Sequence, residues 1–309
     1  MKRRNLVATA VGLATLGLSA FAQTKTPTIG VSLASDLNPF YIAMKRGMQD
    51  HAKELGVNVV FVTANEDVAK QVDGIRDLIA RKVDGILASP IDSVAVGSAY
   101  TAASQAGIPI ISIARHATSP AQSAFVSMDE PKIGGDIATW IIKRINGKGK
   151  IAMITGPAGA ATFRAIASGM DTVLRVNPGV SVVYRKDAAL TREMGLKLAE
   201  DALVAHPDLV AIYSANDELA MGAAQAVKAA GKSEQIVITG MNGIPPALNA
   251  VKSGALGMTV ELNPVAWGRL GVDTMVNYLK GQKPTGVVAA PYLLVDKNNV
   301  EQVLAQAKR

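Results

Sequence analysis

The chain of 309 residues contains no cysteine and only three histidines. Without cysteine there is no disulfide framework, no thiol nucleophile and no thiolate metal site. His51, His116 and His206 are far apart in sequence and form no HExxH pair, so a histidine metal centre is not expected. Aromatic residues make up 4% of the chain and charged residues 18%, against a usual charged share of about 25%. No uninterrupted apolar run of membrane length follows the N-terminal region. What the chain does have is 49% hydrophobic residues, rich in alanine and branched aliphatics. That is too apolar for a disordered chain. The length fits two domains.

The net charge of +7 invites a nucleic-acid reading, but its distribution argues against one. Lys2, Arg3 and Arg4 head an apolar stretch from Leu6 to Leu18, and Ala20-Phe21-Ala22 follows as a small-x-small sequence before Gln23. This is the layout of a secretory signal peptide over residues 1–22, cleaved after Ala22. Seven charges less those three leave +4 on the mature chain. The protein is expected to be exported, not membrane-embedded and without a nucleic-acid partner.

From Thr28 onward, short apolar runs alternate with helical patterns, the mark of βα units. Strands are predicted at 28–33, 57–63, 85–89 and 108–113, with helices at 39–55, 67–81 and 93–106 between them. The cycle restarts with helices at 132–145, 162–176, 191–206, 217–230 and 245–253, and strands at 150–155, 180–184, 209–213 and 236–239. Continuous apolar strands with intervening helices indicate parallel, doubly wound α/β sheets covered on both faces, in two lobes.

In open parallel sheets, ligands sit beyond the carboxyl ends of the strands. Those positions carry Ser35, Asp36, Asn38, Phe40 and Tyr41; Ser89, Pro90 and Asp92; and Arg115 and His116. In the second half they carry Gly156-Pro157-Ala158-Gly159 before Arg164, then Asp187 and Leu190, Asn216 to Glu218, and Asn242 with Gly243. Amides and guanidinium groups around aromatic plates suit a small polyhydroxylated molecule, whose hydroxyls need directional partners and whose C–H face stacks on a ring. Asn38 reads equally as a helix cap alone or as cap and ligand contact. Asp217 and Glu218 fit the favoured acids of a first helical turn. Arg115 directly after an apolar strand reads as functional, and Trp140 and Trp267 as core. No nucleophile elbow, phosphate loop or dinucleotide fingerprint is present, and no cofactor is implied.

The runs Ser35-Asp36-Leu37-Asn38-Pro39-Phe40-Tyr41, Ala88-Ser89-Pro90-Ile91-Asp92-Ser93, Ala106-Gly107-Ile108-Pro109-Ile110 and Tyr213-Ser214-Ala215-Asn216-Asp217-Glu218-Leu219-Ala220-Met221-Gly222 resemble periplasmic sugar-binding proteins of the ribose-binding type. The likeness extends over residues 25–309. It implies two Rossmann-like lobes, 23–128 with 264–288 and 129–263 with 289–309. They are joined by three crossovers near Met128-Asp129, Leu262–Pro264 and Gly286–Pro291. The resemblance also implies a monomer that captures ligand by hinge closure and hands it to an ABC transporter permease. By the family pattern the ligand-binding residues are Asn38, Phe40, Tyr41, Ser89, Arg115, Arg164, Leu190, Asn216, Asn242 and Leu262. The chain departs from that pattern in several places. Ser89 stands for an Asn, Ala114 for the Asp before Arg115, Asn242 for an Asp, Leu262 for a Gln and Leu190 for an aromatic. Strict counting puts Ile166, not Arg164, at the sugar-binding arginine. With both carboxylates gone and two arginines left unpaired by the pattern, the expected ligand is less hydroxylated than ribose, or carries an anionic or carbonyl group facing Arg115 and Arg164. Polyols, deoxy sugars and sugar acids fit. Rival functions are a chemoreceptor-coupled sensory binding protein, a secreted carbohydrate-active α/β enzyme, and a repressor of the lac type, for which the N-terminal helix-turn-helix is missing.

Overall fold

A computed structural model describes residues 26–284 and 286–306, and the N-terminal export segment expected at 1–22 lies outside them. The first half of the chain forms β1 (Thr28–Leu33), α1 (Pro39–Leu55), β2 (Asn58–Thr63), α2 (Val68–Ala80), β3 (Gly85–Ala88), α3 (Gly97–Gln105), β4 (Ile110–Ile113) and β5 (Ala124–Ser127). The second forms α4 (Glu130–Arg144), β6 (Gly149–Thr155), α5 (Ala161–Arg175), β7 (Val180–Asp187), α6 (Arg192–Ala205), β8 (Leu209–Ser214), α7 (Asp217–Ala229), β9 (Val237–Asn242), α8 (Pro245–Ser253) and β10 (Met258–Glu261). Then come α9 (Pro264–Leu279), β11 (Val287–Ala289), β12 (Leu293–Asp296) and α10 (Val300–Gln306).

The strands make two six-stranded sheets, β2-β1-β3-β4-β5-β11 and β7-β6-β8-β9-β10-β12. All pairings are parallel except β10 with β12. The protein is therefore an α/β fold with two mostly parallel lobes. The chain passes between the sheets after β5, after β10 and after β11. Ala289 pairs with Ser127, so β11 runs one residue past the boundary placed at 288.

Local chemistry explains how the helices that border the cleft begin and meet. Helix α1 starts at Pro39, whose fixed φ suits the first turn, and ends at Gly56 with φ 66°. Its buried stripe is Phe40, Tyr41, Met44, Met48, His51 and Ala52, spaced for one face. Helices α1 and α9 touch backbone to backbone. A Cβ on Gly47 would strike the Val265 carbonyl, and one on Gly268 the Met44 carbonyl. The pairs α4–α5 and α6–α7 meet the same way, through Gly134 and Gly169 and through Gly195 and Gly222. Helix α3 starts later than the sequence pattern indicates, at Gly97. The Asp92 carboxylate accepts the N–H groups of Val94 and Ala95 and holds 92–95 as a turn.

Candidate functional site

The first-lobe wall is built at the ends of β1 and β3. Ser35 Oγ accepts the N–H groups of Leu37 and Asn38, both at 3.1 Å, and turns the chain into α1. Asn38 caps that helix by accepting the Phe40 N–H at 3.0 Å, which leaves its amide nitrogen uncommitted. Phe40 and Tyr41 are buried and meet edge to face, with centroids 5.3 Å apart. The Tyr41 hydroxyl and Ser89 Oγ share a 2.8 Å hydrogen bond. Ser89 itself is fixed by Gln71, whose amide donates to the Ser89 carbonyl at 2.9 Å and accepts the Ile91 N–H at 2.8 Å. Burial pushes the Tyr41 hydroxyl above its ordinary pKa, opposed in part by Arg115.

Arg115 is placed by a strained turn. Its N–H donates to the Ile113 carbonyl at 2.7 Å, around an Ala114 with φ 64°. A left-handed non-glycine residue costs on the order of 1 kcal/mol or more, a cost often met at functional sites. The Arg115 side chain is 2% exposed, and its two terminal nitrogens donate to Glu66 Oε2 and Oε1, both at 3.1 Å. Its guanidinium lies 5.6 Å from the Tyr41 ring of its own lobe and 5.4 Å from the Phe163 ring of the other. Burial works against the charged form, but Tyr41 and Glu66 outweigh it and hold the Arg115 pKa above its ordinary value. The expectation of an unpaired arginine at 115 is thus corrected. Glu66 supplies its carboxylate from the β2–α2 loop, where Asn65 and Glu66 both have positive φ, 50° and 59°.

The second-lobe wall carries Phe163 on α5. Gly156 has no side chain because a Cβ there would run into the Phe163 ring. Asn216 caps α7, accepting the Leu219 N–H at 2.9 Å and donating to the Leu190 carbonyl at 3.3 Å. Asp217 beside it is fully buried. It accepts from Thr259 Oγ1 at 2.6 Å and from the Ile244 N–H at 2.9 Å. Burial pushes its carboxyl up to about 7. Its two bonds tie α7 to β10 and to the loop that follows Asn242, the last residue of β9, with φ 127°.

Eight of the ten sequence-predicted residues line one inner cavity of about 40 Å³: Asn38, Phe40, Tyr41, Arg115, Leu190, Asn216, Asn242 and Leu262. Ser89 stands behind Tyr41 rather than in the wall. Arg164 is outside. It is exposed, donates to the Ala158 carbonyl and borders a separate hollow of about 190 Å³ with Asp171, Arg185 and Asp187. Ile166, the counted alternative, is fully buried in the core. The cavity also gathers Met128, Thr162, Phe163, Met241 and Trp267, which the strand-end positions do not indicate. Trp267 is 1% exposed, and its indole nitrogen has no hydrogen-bond partner among the described residues.

The inner cavity leads at Asn38 and Leu190 into an outer cleft of about 800 Å³ between the lobes. Beside the cleft the lobes touch. The Ser93 N–H donates to the Gly159 carbonyl at 3.0 Å, and the Ala161 N–H donates to Ser93 Oγ at 2.9 Å. The inner wall thus offers aromatic faces, a neutralised guanidinium and a few open amide and indole groups. The only formal charge in that lining is Arg115, and its Thr162 hydroxyl donates to Glu130 Oε1 at 2.7 Å, outside the lining. Among the described residues, no helix is long and apolar enough to cross a membrane.

Residues 29–283 match the model of the periplasmic binding protein domain family. The ribose import binding protein of Escherichia coli K12 is 34% identical over 285 residues, covering 92% of this chain and 94% of its own. The xylitol-binding protein of Mycolicibacterium smegmatis is 30% identical over 301 residues, covering 94% of this chain and 85% of its own. An ABC transporter solute-binding protein from Bacillus halodurans, solved with bound myo-inositol, superimposes with a TM-score of 0.85 at 29% identity, over 91% of this chain and 98% of that one.

Proposed function

The chain belongs to the periplasmic binding protein family, in its ribose-binding type; from that premise we propose that it captures a small, uncharged polyol or sparingly hydroxylated sugar between the lobes, where the inner cavity opens toward the outer cleft. Its role is that of the substrate-binding subunit of an ABC importer, and its relatives are binding proteins rather than enzymes. Ligand contacts from both lobes draw the population toward the closed form. That form is the one delivered to a permease after export to the periplasm and removal of residues 1–22.

One observation carries the ligand class. The single charged group of the inner wall is Arg115, and Glu66 already holds it in a bidentate pair. The wall therefore has no free charge for a sugar acid, and no carboxylate to grip two vicinal hydroxyls as an aldopyranose site does. The open directional groups are the Asn38 amide nitrogen, the Asn242 amide and the Trp267 indole N–H. The aromatic edges and faces of Phe40, Tyr41 and Phe163 suit a C–H surface. Polyol and cyclitol ligands in two of the relatives named above are consistent with this.

A thermal-shift screen of alditols, cyclitols, deoxy sugars, aldoses and aldonates tests the reading, since a ligand that binds only the folded state raises the midpoint. Stabilisation by a neutral polyol or cyclitol is the expected result. Stabilisation by ordinary aldopyranoses alone, or by none of these compounds, overturns it. Native mass spectrometry of protein purified without denaturation reads the bound ligand directly.

A further inference from the structure

We propose that Glu66 is the charge-selecting residue of this binding protein: by occupying the inner guanidinium and lining the approach to it, it admits neutral ligands and rejects their carboxylate counterparts. The proposal rests on the cleft being a sugar or polyol site.

Three features place Glu66 in that role. Its carboxylate takes both terminal nitrogens of Arg115 at 3.1 Å, the fork geometry that a ligand carboxylate would itself need. An incoming anion must displace Glu66 or sit beside it, and like charges held in contact repel each other. Second, Glu66 is in the wall of the outer cleft, with a side chain 38% exposed, while its partner is 2% exposed in the inner cavity. It reaches from the outer cleft to the inner guanidinium. Third, its surroundings repeat the sign. The outer cleft is lined by the carboxylates of Glu66, Asp187 and Glu218 against the lone guanidinium of Arg192, which is itself paired with Glu218 at 3.1 Å. With Glu66 matched to Arg115 and Glu218 to Arg192, Asp187 is the one carboxylate left in excess on the approach, which disfavours an anion there.

The backbone shows that this position is held deliberately. Asn65 and Glu66 are consecutive non-glycine residues with left-handed φ. The strain is held by the Glu66 N–H bond to the Ala34 carbonyl at 2.7 Å and by Asn65 Oδ1 accepting the Asp36 N–H at 2.9 Å. A loop relaxed to ordinary φ values would not carry the carboxylate on the same path.

The test compares matched pairs of four- to six-carbon alditols and aldonates by calorimetry, on the wild type, Glu66→Gln and Glu66→Asp. The wild type is expected to favour the best alditol over its aldonate by about a hundredfold or more, a factor of ten per 1.4 kcal/mol. Glu66→Gln leaves Arg115 charged and unpaired, and the ratio falls at least tenfold through a gain in aldonate affinity. Glu66→Asp keeps the charge on a shorter arm and gives an intermediate ratio. It also keeps a counter-charge for the buried Arg115 if the Gln variant is too unstable to titrate. A wild type that binds an aldonate as tightly as its alditol overturns the role of Glu66. So does a ratio that both variants leave within twofold of wild type. A wild type that binds no alditol, cyclitol or sugar at all instead overturns the proposed function, which separates the two failures.

Discussion

Ser93 of one lobe grips Ala161 of the other: the Ala161 N–H donates to Ser93 Oγ at 2.9 Å, and the Ser93 N–H reaches the Gly159 carbonyl at 3.0 Å. Ser93 is fully buried and lies outside the inner cavity, so it favours closure without touching ligand. Ser93→Ala removes one inter-lobe hydrogen bond worth about 1 kcal/mol. Ligand affinity is expected to fall about three- to tenfold by calorimetry, with small-angle scattering showing a larger radius in the absence of ligand. Unchanged affinity would remove this contact from the closing equilibrium.

Trp267 gives a cleaner test of direct contact. Its indole nitrogen is buried without a partner among the described residues, so removing it breaks none of their hydrogen bonds. Trp267→Phe should weaken a hydroxylated ligand about three- to tenfold, the net worth of one hydrogen bond. If affinity holds, the indole N–H does not face the ligand.

Asn216 serves two masters, as helix cap and as tether to Leu190. Asn216→Ala is expected to lower both affinity and stability, the latter by about 1 kcal/mol from the lost cap. Asn216→Ser restores the cap but not the reach to Leu190, so its midpoint recovers while its affinity stays low. A variant that recovers both would show the cap alone to matter.

The buried Asp217 makes stability depend on pH. Its carboxyl is raised from 3.8 to about 7 by burial, so the folded protein holds a proton that the unfolded chain releases. Its destabilising share is absent below pH 3.8, grows as pH rises toward 7 and is constant above. Urea midpoints of wild type and Asp217→Asn should therefore draw together or cross in favour of the variant as pH rises from 4 to 8, by on the order of a few kcal/mol. Parallel profiles would show Asp217 ionised throughout.

The long strands and capped helices were legible because each carries its own signal: an apolar run of six residues, Asn38 before Pro39, Gly56 at the end. The strands β5, β10, β11 and β12 span only three or four residues, and unlike the equally short β3 and β4 none of them directly separates two helices read from the sequence. Phe40, Tyr41 and Arg115 were legible from their place after strands. Glu66 was not, since its bond to Arg115 joins positions 49 apart and depends on two unusual φ values that Asn and Glu do not announce. Phe163 and Trp267 sit on helices whose apolar stripes account for them equally well as core. Arg164 follows Phe163 by one residue, and a helix turns about 100° per residue, so it leaves the cleft as Phe163 enters it. Scarcity of aromatics hid a concentration: Phe40, Tyr41, Phe163 and Trp267 all meet at one cavity.

The exchange of strands between the lobes also sets an order of assembly. The sheet begun by β1 at Thr28 is completed only by β11 at Ala289, and α1 waits for α9 to cover it. The sheet of the second lobe waits in turn for β12, which ends at Asp296. Neither lobe can finish before nearly the whole chain has been made. Contacts so distant in sequence form more slowly than local ones, so the last strands and α9 set when each lobe closes its core.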